Sequence, residues 1–189
     1  MLKIILVGVP CVGKSTVGKM LAERLGYKFF DFDFEIEKYF NSAIEIIKEE
    51  FWTGHSFRKE ARKVLRKILK ENDDNFVIAM PPSGLMDFYW RIIKEDDSII
   101  TIVLKDKAKN IVKRLTFYDR YSKPIEVEMT AKKEAYYLKE LRLDIEYFRK
   151  SHNRAKIREK VDGKSALQVA DDLALLLTSG AKSYELSSS

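Results

Sequence analysis

The stretch Gly8-Val9-Pro10-Cys11-Val12-Gly13-Lys14-Ser15 fits the pattern GxxxxGK(S/T) at every fixed position, and that pattern carries a mechanism. Backbone N–H groups of such a loop wrap the phosphates of a nucleoside triphosphate. The lysine, Lys14 here, reaches the β- and γ-phosphates, and the Ser15 hydroxyl helps to hold Mg²⁺. The flanks agree. Lys3-Ile4-Ile5-Leu6-Val7 is a short apolar run of the kind that forms a buried parallel strand. Beyond the loop, Val17, Met20, Leu21 and Leu25 recur at helical spacing, and Gly26 stands where a helix would stop. Strand, loop and helix in that order set residues 8–16, Thr16 included, at a helix N-terminus, where orphan N–H groups and the dipole favour an anion. A nucleoside triphosphate with Mg²⁺ is the expected ligand.

A chain of 189 residues, 46% hydrophobic and 34% charged, is expected to form one globular domain with a full core. No apolar run approaches membrane-spanning length, and, with an expected strand at residues 3–7, no secretory leader is expected. The sole cysteine, Cys11, lies inside the loop, so no internal disulfide is expected and the cytoplasm is the expected compartment. The net charge of +6 is uneven. Residues 105–164 hold 18 Lys/Arg against 10 Asp/Glu, a surplus of 8, so the rest of the chain carries −2. The cations there alternate with acids, which reads as a solvated helix face rather than a nucleic-acid surface. Attraction of anionic nucleotides is the simpler use of that field. The expected partner is a small-molecule acceptor, with neither nucleic acid nor membrane, and the expected state is a monomer.

The rest of the chain alternates strand and helix signals. Residues 27–32 read as a second strand, 42–51 and 57–69 as helices, and 75–80 as a third strand ended by Pro81 and Pro82. A fourth strand is expected at 99–104, with a helix following through Leu115. Residues 119–128, around Pro124, read as a loop, 131–150 as a long helix, and 156–161 as a last short strand. Asp162-Gly163 is a turn, and Ser165 with Gln168 forms a capping box opening a helix over 166–177. Residues 1–178 are thus read as a single domain, and the small polar residues 179–189 as a disordered tail. The alternation predicts an α/β fold with a five-stranded parallel sheet, helices on both faces and ligands at the carboxyl ends of the strands.

Phosphoryl transfer to a hydroxyl needs an acceptor base, a metal, and cations for the charge that builds on the γ-phosphoryl oxygens. Asp31 and Asp33 are the best acids. They close the second expected strand on the face where the loop also ends, and alternation points both the same way. Arg58 opens the 57–69 helix, where the dipole does not want a cation, and is a candidate for gripping an acceptor. Arg114, Arg120 and Lys123 cluster near Pro124 as a possible lid over the phosphates. His55 and His152 lack metal-ligand spacing.

With these residues assembled, the chain resembles the shikimate kinase family over nearly its whole length, to about residue 177. The matching elements are the loop, the Asp31-Asp33 pair, Ser42-Ala43-Ile44-Glu45-Ile46, the pair Phe57-Arg58, and the turn Asp162-Gly163-Lys164-Ser165. The resemblance implies sheet order 2-3-1-4-5, ATP and Mg²⁺ as cofactors, and a mobile lid from Arg120 to Pro124. It implies that Asp31 lies near Mg²⁺, that Asp33 binds and helps deprotonate the acceptor hydroxyl, and that Arg58 grips its carboxylate. Arg120 would assist at the phosphates and Arg142 would be the nearest second acid-binding cation. The departures are specific. Where the family has three glycines against the acceptor, this chain has Met80-Pro81-Pro82-Ser83-Gly84, losing two N–H donors and adding bulk. Ala61 stands where the family usually has Glu, and Cys11 where the loop usually has Gly. These changes predict an acceptor other than shikimate. Two alternatives stay open: a nucleoside or nucleotide kinase using Arg58, Arg62 and Arg66, and a nucleotide-binding regulatory module without turnover.

Overall fold

The computed structural model describes residues 2–179. In chain order the elements are β1 (Lys3–Val7), α1 (Lys14–Leu25), β2 (Lys28–Asp31), α2 (Phe32–Phe40), α3 (Ile44–Glu49), α4 (Gly54–Glu71), β3 (Phe76–Ala79), α5 (Asp87–Ile93) and β4 (Ile99–Lys105). Then come α6 (Ala108–Ile111) running into a 3₁₀ turn (Val112–Arg114), β5 (Phe117–Tyr118), β6 (Pro124–Ile125), α7 (Ala131–His152), β7 (Ile157–Lys160) and α8 (Ala166–Thr178). Five strands form one sheet in the order β2-β3-β1-β4-β7, and every pairing in it is parallel. This is the expected order, with the fifth strand numbered β7 because a small hairpin, β5-β6, precedes it. The tail expected from 179 lies outside the described residues beyond Ser179.

The apolar run of β1 is buried throughout because both faces of the sheet are covered. Ile4 and Leu6 face a layer holding α1, α7 and α8, with Val17, Leu21, Leu141, Val169 and Leu173 among the buried contacts. Ile5 and Val7 face the opposite layer, with Ile36 of α2, Ala61 and Leu65 of α4, and Tyr89 of α5. A strand's alternation thus splits one run between two cores. The central position of β1 carries the phosphate loop from its C-terminal end straight into α1.

Several boundaries differ from expectation. Asp31-Phe32-Asp33-Phe34-Glu35-Ile36-Glu37 alternates like a strand, yet β2 stops at Asp31. The Asp31 carboxylate caps α2 by accepting from the Asp33 N–H at 3.2 Å, and Phe32 and Ile36, one turn apart, are the residues α2 buries. α4 starts at Gly54, three residues earlier than expected, because Thr53 and Ser56 form a capping box. Arg58 therefore sits beyond the first turn of that helix rather than opening it. α5 was hidden by its short length, with only Tyr89 and Ile93 buried. The expected loop at 119–128 contains β6, which pairs antiparallel with β5.

Candidate active site

The loop between β1 and α1 is shaped by two glycines. A Cβ on Gly8 would lie 2.7 Å from the Leu104 carbonyl oxygen, and Gly8 has φ +152°; Gly13, at φ +108°, is the N-cap of α1. Val9 and Val12 bury their side chains in the core, so the loop is anchored from below while its backbone stays at the surface. Pro10 brings no N–H and the Val12 N–H closes onto the Val9 carbonyl at 3.4 Å, which leaves the N–H groups at the start of α1 to face an anion. Cys11 occupies left-handed backbone at φ 56°, a conformation that a glycine would take at no steric cost.

Lys14 folds back over the loop. Its amine donates to the carbonyl oxygens of Gly8 at 3.0 Å and Val9 at 2.9 Å. Burial pulls its pKa down from 10.5 to about 8, against the opposing pull of Asp33, Cys11 and Asp31. A desolvated amine held by neutral carbonyls is a site waiting for an anion.

The loop opens onto a cleft of about 840 Å³ whose lining includes Lys14, Ser15, Thr16, Asp31, Asp33, Met80, Pro81, Pro82 and Arg114. The two acids do meet the loop there, by a different route from strand alternation. Asp31 ends β2 and Asp33 lies in the first turn of α2. Asp33 lines the cleft; desolvation by the surrounding protein, and Asp31 beside it, hold its carboxyl above the usual range, while Lys48 and Lys14 pull the other way. Arg114 also reaches the loop: its Nε donates to the Cys11 carbonyl at 3.3 Å, and it pairs with Asp106. The carbonyl of Pro82 accepts from His152 Nε2 at 2.9 Å, so this buried histidine braces the cleft wall.

Other expected site residues are placed elsewhere. Arg58 does not line the cleft. Its Nε and Nη2 both donate to Asp87 Oδ2, at 3.1 and 2.7 Å. Arg142 is exposed on α7, and Ser83 and Gly84 turn away behind Pro82, with the Gly84 N–H bonded to the Pro81 carbonyl. Arg120 is exposed at the hairpin tip and pairs with Glu49 of α3 at 2.8 Å. The helix-face cations of the nucleotide-kinase alternative are dispersed. Arg58 is bound to Asp87, Arg62 lies over the Phe88 ring, and Arg66 is exposed.

Sequence reading missed a second set of lining residues: Glu37, Ile44, Glu45, Lys48, Tyr118, Asp119 and Ser122. Glu37 joins them, since its Oε1 accepts from Ile44 N–H at 2.8 Å and from the Ser122 hydroxyl. The signal for Glu37 was the helical spacing from Asp33. For Ser122 there was none, because its contact depends on the fold of the hairpin.

A parallel sheet with a phosphate loop after its central strand, and two acids beside that loop, defines the class: a P-loop phosphotransferase. Within that class the chain belongs to the shikimate kinase family, whose family description, "Shikimate kinase", matches residues 10–174. A shikimate kinase of Persephonella marina is 32% identical over 174 residues, covering 92% of this chain and 97% of that protein. The pentafunctional AROM polypeptide of Schizosaccharomyces pombe is 42% identical over 77 residues, 40% of this chain but 5% of that polypeptide. The crystal structure of shikimate kinase from Aquifex aeolicus superposes with a TM-score of 0.68 at 25% identity, covering 93% of this chain and 96% of that one. The chain is an ATP-dependent phosphotransferase of this family.

Proposed function

We propose that this chain transfers the γ-phosphoryl group of Mg-ATP to a hydroxyl of a small polyhydroxylated acid, and that shikimate is not its preferred acceptor. The observation that carries the transfer chemistry is the convergence of the Lys14 amine and the Asp31-Asp33 pair on one cleft. The residues fit the cofactor. Gly8 is a position no Cβ can fill, and Lys14 is a buried amine satisfied only by carbonyls. When bound, Mg-ATP supplies the electrophilic phosphoryl group. The loop amides and Lys14 would hold its phosphates, and Ser15 and Asp31 would hold the Mg²⁺. Asp33, with its raised pKa, accepts the proton of the acceptor hydroxyl. Arg114 lines the cleft beside the loop and braces it through the Cys11 carbonyl. Arg120 reaches the phosphates by leaving Glu49, an exposed pair that costs about 1 kcal/mol or less to break.

Two observations support an acceptor other than shikimate. The cleft wall is Met80-Pro81-Pro82, in which neither proline donates a backbone hydrogen bond. Arg58, which the resemblance assigns to an acceptor carboxylate, already holds one from Asp87. We further take residues 1–178 as one kinase domain working as a cytoplasmic monomer, on the strength of its single five-stranded parallel sheet and sole cysteine.

The test is ATP consumption against shikimate, gluconate, nucleosides and nucleoside monophosphates. Transfer to a polyhydroxylated acid in preference to shikimate is expected. Asp33→Asn should lose about 100-fold or more of transfer while ATP affinity holds. A preference for shikimate overturns the acceptor reading, and activity on nucleoside monophosphates alone overturns the acceptor class.

A further inference from the structure

His152 is a buried titratable group that the transfer chemistry leaves unused. It closes α7 with 5% of its surface exposed. Its ring stacks on Phe148, one turn earlier, with centroids 5.5 Å apart and planes 17° apart. Burial holds its pKa below the ordinary histidine value; the Pro82 carbonyl opposes this, and Lys14 and Lys105 add to it. The ring is therefore neutral at pH 7. Since a carbonyl only accepts, the Nε2 that faces Pro82 at 2.9 Å carries the proton.

That bond ends on the cleft wall. The Met80 N–H is bonded to the Leu6 carbonyl at 2.9 Å, and beyond it the chain runs into Pro81 and Pro82, which line the cleft and have no N–H. The backbone of two such residues can be tethered only through its carbonyls. Two bonds lie inside the turn: Pro81 accepts from the Gly84 N–H at 2.8 Å, and Ser83 from the Met86 N–H at 2.9 Å. They set its shape. Two more reach outward to the end of α7. Pro82 accepts from His152, and Leu85 accepts from Arg154 Nη1 at 2.7 Å, whose guanidinium lies 5.4 Å from the centroid of the Trp90 ring on α5. These set where the turn stands against the sheet. The clamp is anchored in turn by Lys156, whose N–H donates to Thr101 Oγ1 at 3.0 Å and whose amine donates to the Ile99 carbonyl at 2.8 Å, both on β4.

We propose that His152, seconded by Arg154, is a positioning residue for acceptor recognition: by holding the Pro82 carbonyl it fixes the wall against which the acceptor packs, and so sets which polyhydroxylated acid fits beside Asp33. The proposal rests on the reading of this cleft as a kinase site. It assigns part of acceptor choice to a side chain that faces the back of the wall, 70 positions along the chain from Pro82. A wall displaced by about 1 Å is enough to cost about 100-fold in rate. The phosphate loop is held separately, by the buried Val9 and Val12 and by Arg114, so loosening the clamp leaves nucleotide binding in place.

The experiment uses the full chain with Mg-ATP, and shikimate and gluconate as acceptors, in wild type, His152→Leu, His152→Gln and Arg154→Met. Leucine fills the site without a donor, and glutamine restores a neutral N–H. In His152→Leu the ratio of kcat/KM for the two acids should change about fivefold or more. The KM of the better acid should rise about tenfold while that of ATP moves less than about twofold. His152→Gln should recover most of both effects. Arg154→Met, at an exposed position, should raise the acid KM about threefold by the same route. Amide exchange at Gly84 and Met86 should speed up in His152→Leu and return toward the wild-type rate in His152→Gln. Faster exchange with an unchanged acceptor ratio makes His152 a merely structural residue and overturns the proposal. Equal rises in the KM of acid and ATP overturn it as well, as does exchange that stays at the wild-type rate. If His152→Leu does not fold, Arg154→Met decides, and an unchanged acid KM there overturns the proposal. All of these outcomes leave the kinase reading standing. If wild type phosphorylates neither acid, the acceptor reading fails and the proposal falls with it.

Discussion

Glu37 of α2 and Ser122 at the tip of the β5-β6 hairpin are joined by a hydrogen bond across 85 positions of sequence. The same Glu37 oxygen accepts from Ile44 N–H, and a few residues away Arg120 pairs with Glu49. The hairpin is thus docked onto α2 and α3, over the cleft, by polar contacts rather than by core packing. Its own turn is held by Asp119, whose carboxylate accepts from the N–H groups of Tyr121 and Lys123.

Glu37→Ala should release both partners, at a cost of about 1–3 kcal/mol for hydrogen bonds to a charged group. Amide hydrogen exchange should speed up over residues 119–123 and at Ile44. Ser122→Ala should speed up the hairpin amides alone. Exchange at 119–123 that stays at the wild-type rate in Glu37→Ala would mean that the hairpin is held by something else.

Lys14 gives a pH dependence with a definite sign. Its pKa in the free protein is about 8 against 10.5 for an ordinary lysine. Between those values the unfolded chain keeps a proton that the folded chain has lost, so this residue makes stability rise with pH across that window. Polyphosphate beside the amine restores its charge. Nucleotide binding at about pH 9 should therefore take up a proton, and binding near pH 7 should not. Calorimetry in two buffers of different ionisation enthalpy measures this, and Lys14→Met should abolish the uptake. Uptake that persists in the variant would assign the titration to another group.

How much of this was legible in sequence follows from how local each feature is. The phosphate loop and the α8 capping box (Ser165-Gln168) are written in consecutive residues, and both formed as read. The parallel sheet followed from the alternation of strands and helices, and its order from the resemblance to the family. Helix α2 was not legible, because alternating Asp, Phe and Glu satisfy the strand period as well as the buried Phe32-Ile36 step satisfies the helical one. The fates of Arg58 and Lys48 were not legible either. Arg58 faces Asp87 across 29 positions, and Lys48 joins the cleft lining only once α3 packs against α2. Pair contacts between distant residues have no local pattern to read.

Cys11→Gly should stabilise the protein. At φ 56° a side chain costs about 1–2 kcal/mol that glycine avoids. The greater freedom of glycine in the unfolded chain takes back about 0.4–1 kcal/mol. A net gain of about 0.5–1 kcal/mol corresponds to a rise in Tm of about 1–4 °C for a domain of this size. Nucleotide affinity should be retained, since the backbone N–H of residue 11 stays in place. A fall in Tm would show that the cysteine side chain contributes contacts worth more than the strain.

The cleft wall offers the sharpest test of acceptor choice. Pro81 and Pro82 line it without backbone donors, and the Pro82 carbonyl is fixed by His152. Replacing both prolines by glycine supplies two N–H groups and removes two rings. Stability should fall by about 1–2 kcal/mol, because each proline restrains the unfolded chain. The gain should appear in the acceptor: each restored hydrogen bond is worth about 0.5–1.5 kcal/mol, so the KM for shikimate should drop about tenfold while the KM for ATP stays unchanged. If shikimate is used no better by the double variant than by wild type, the prolines do not set acceptor choice. Acceptor choice would then lie in the charged lining of the cleft, Asp33, Glu37, Glu45 and Lys48 among it.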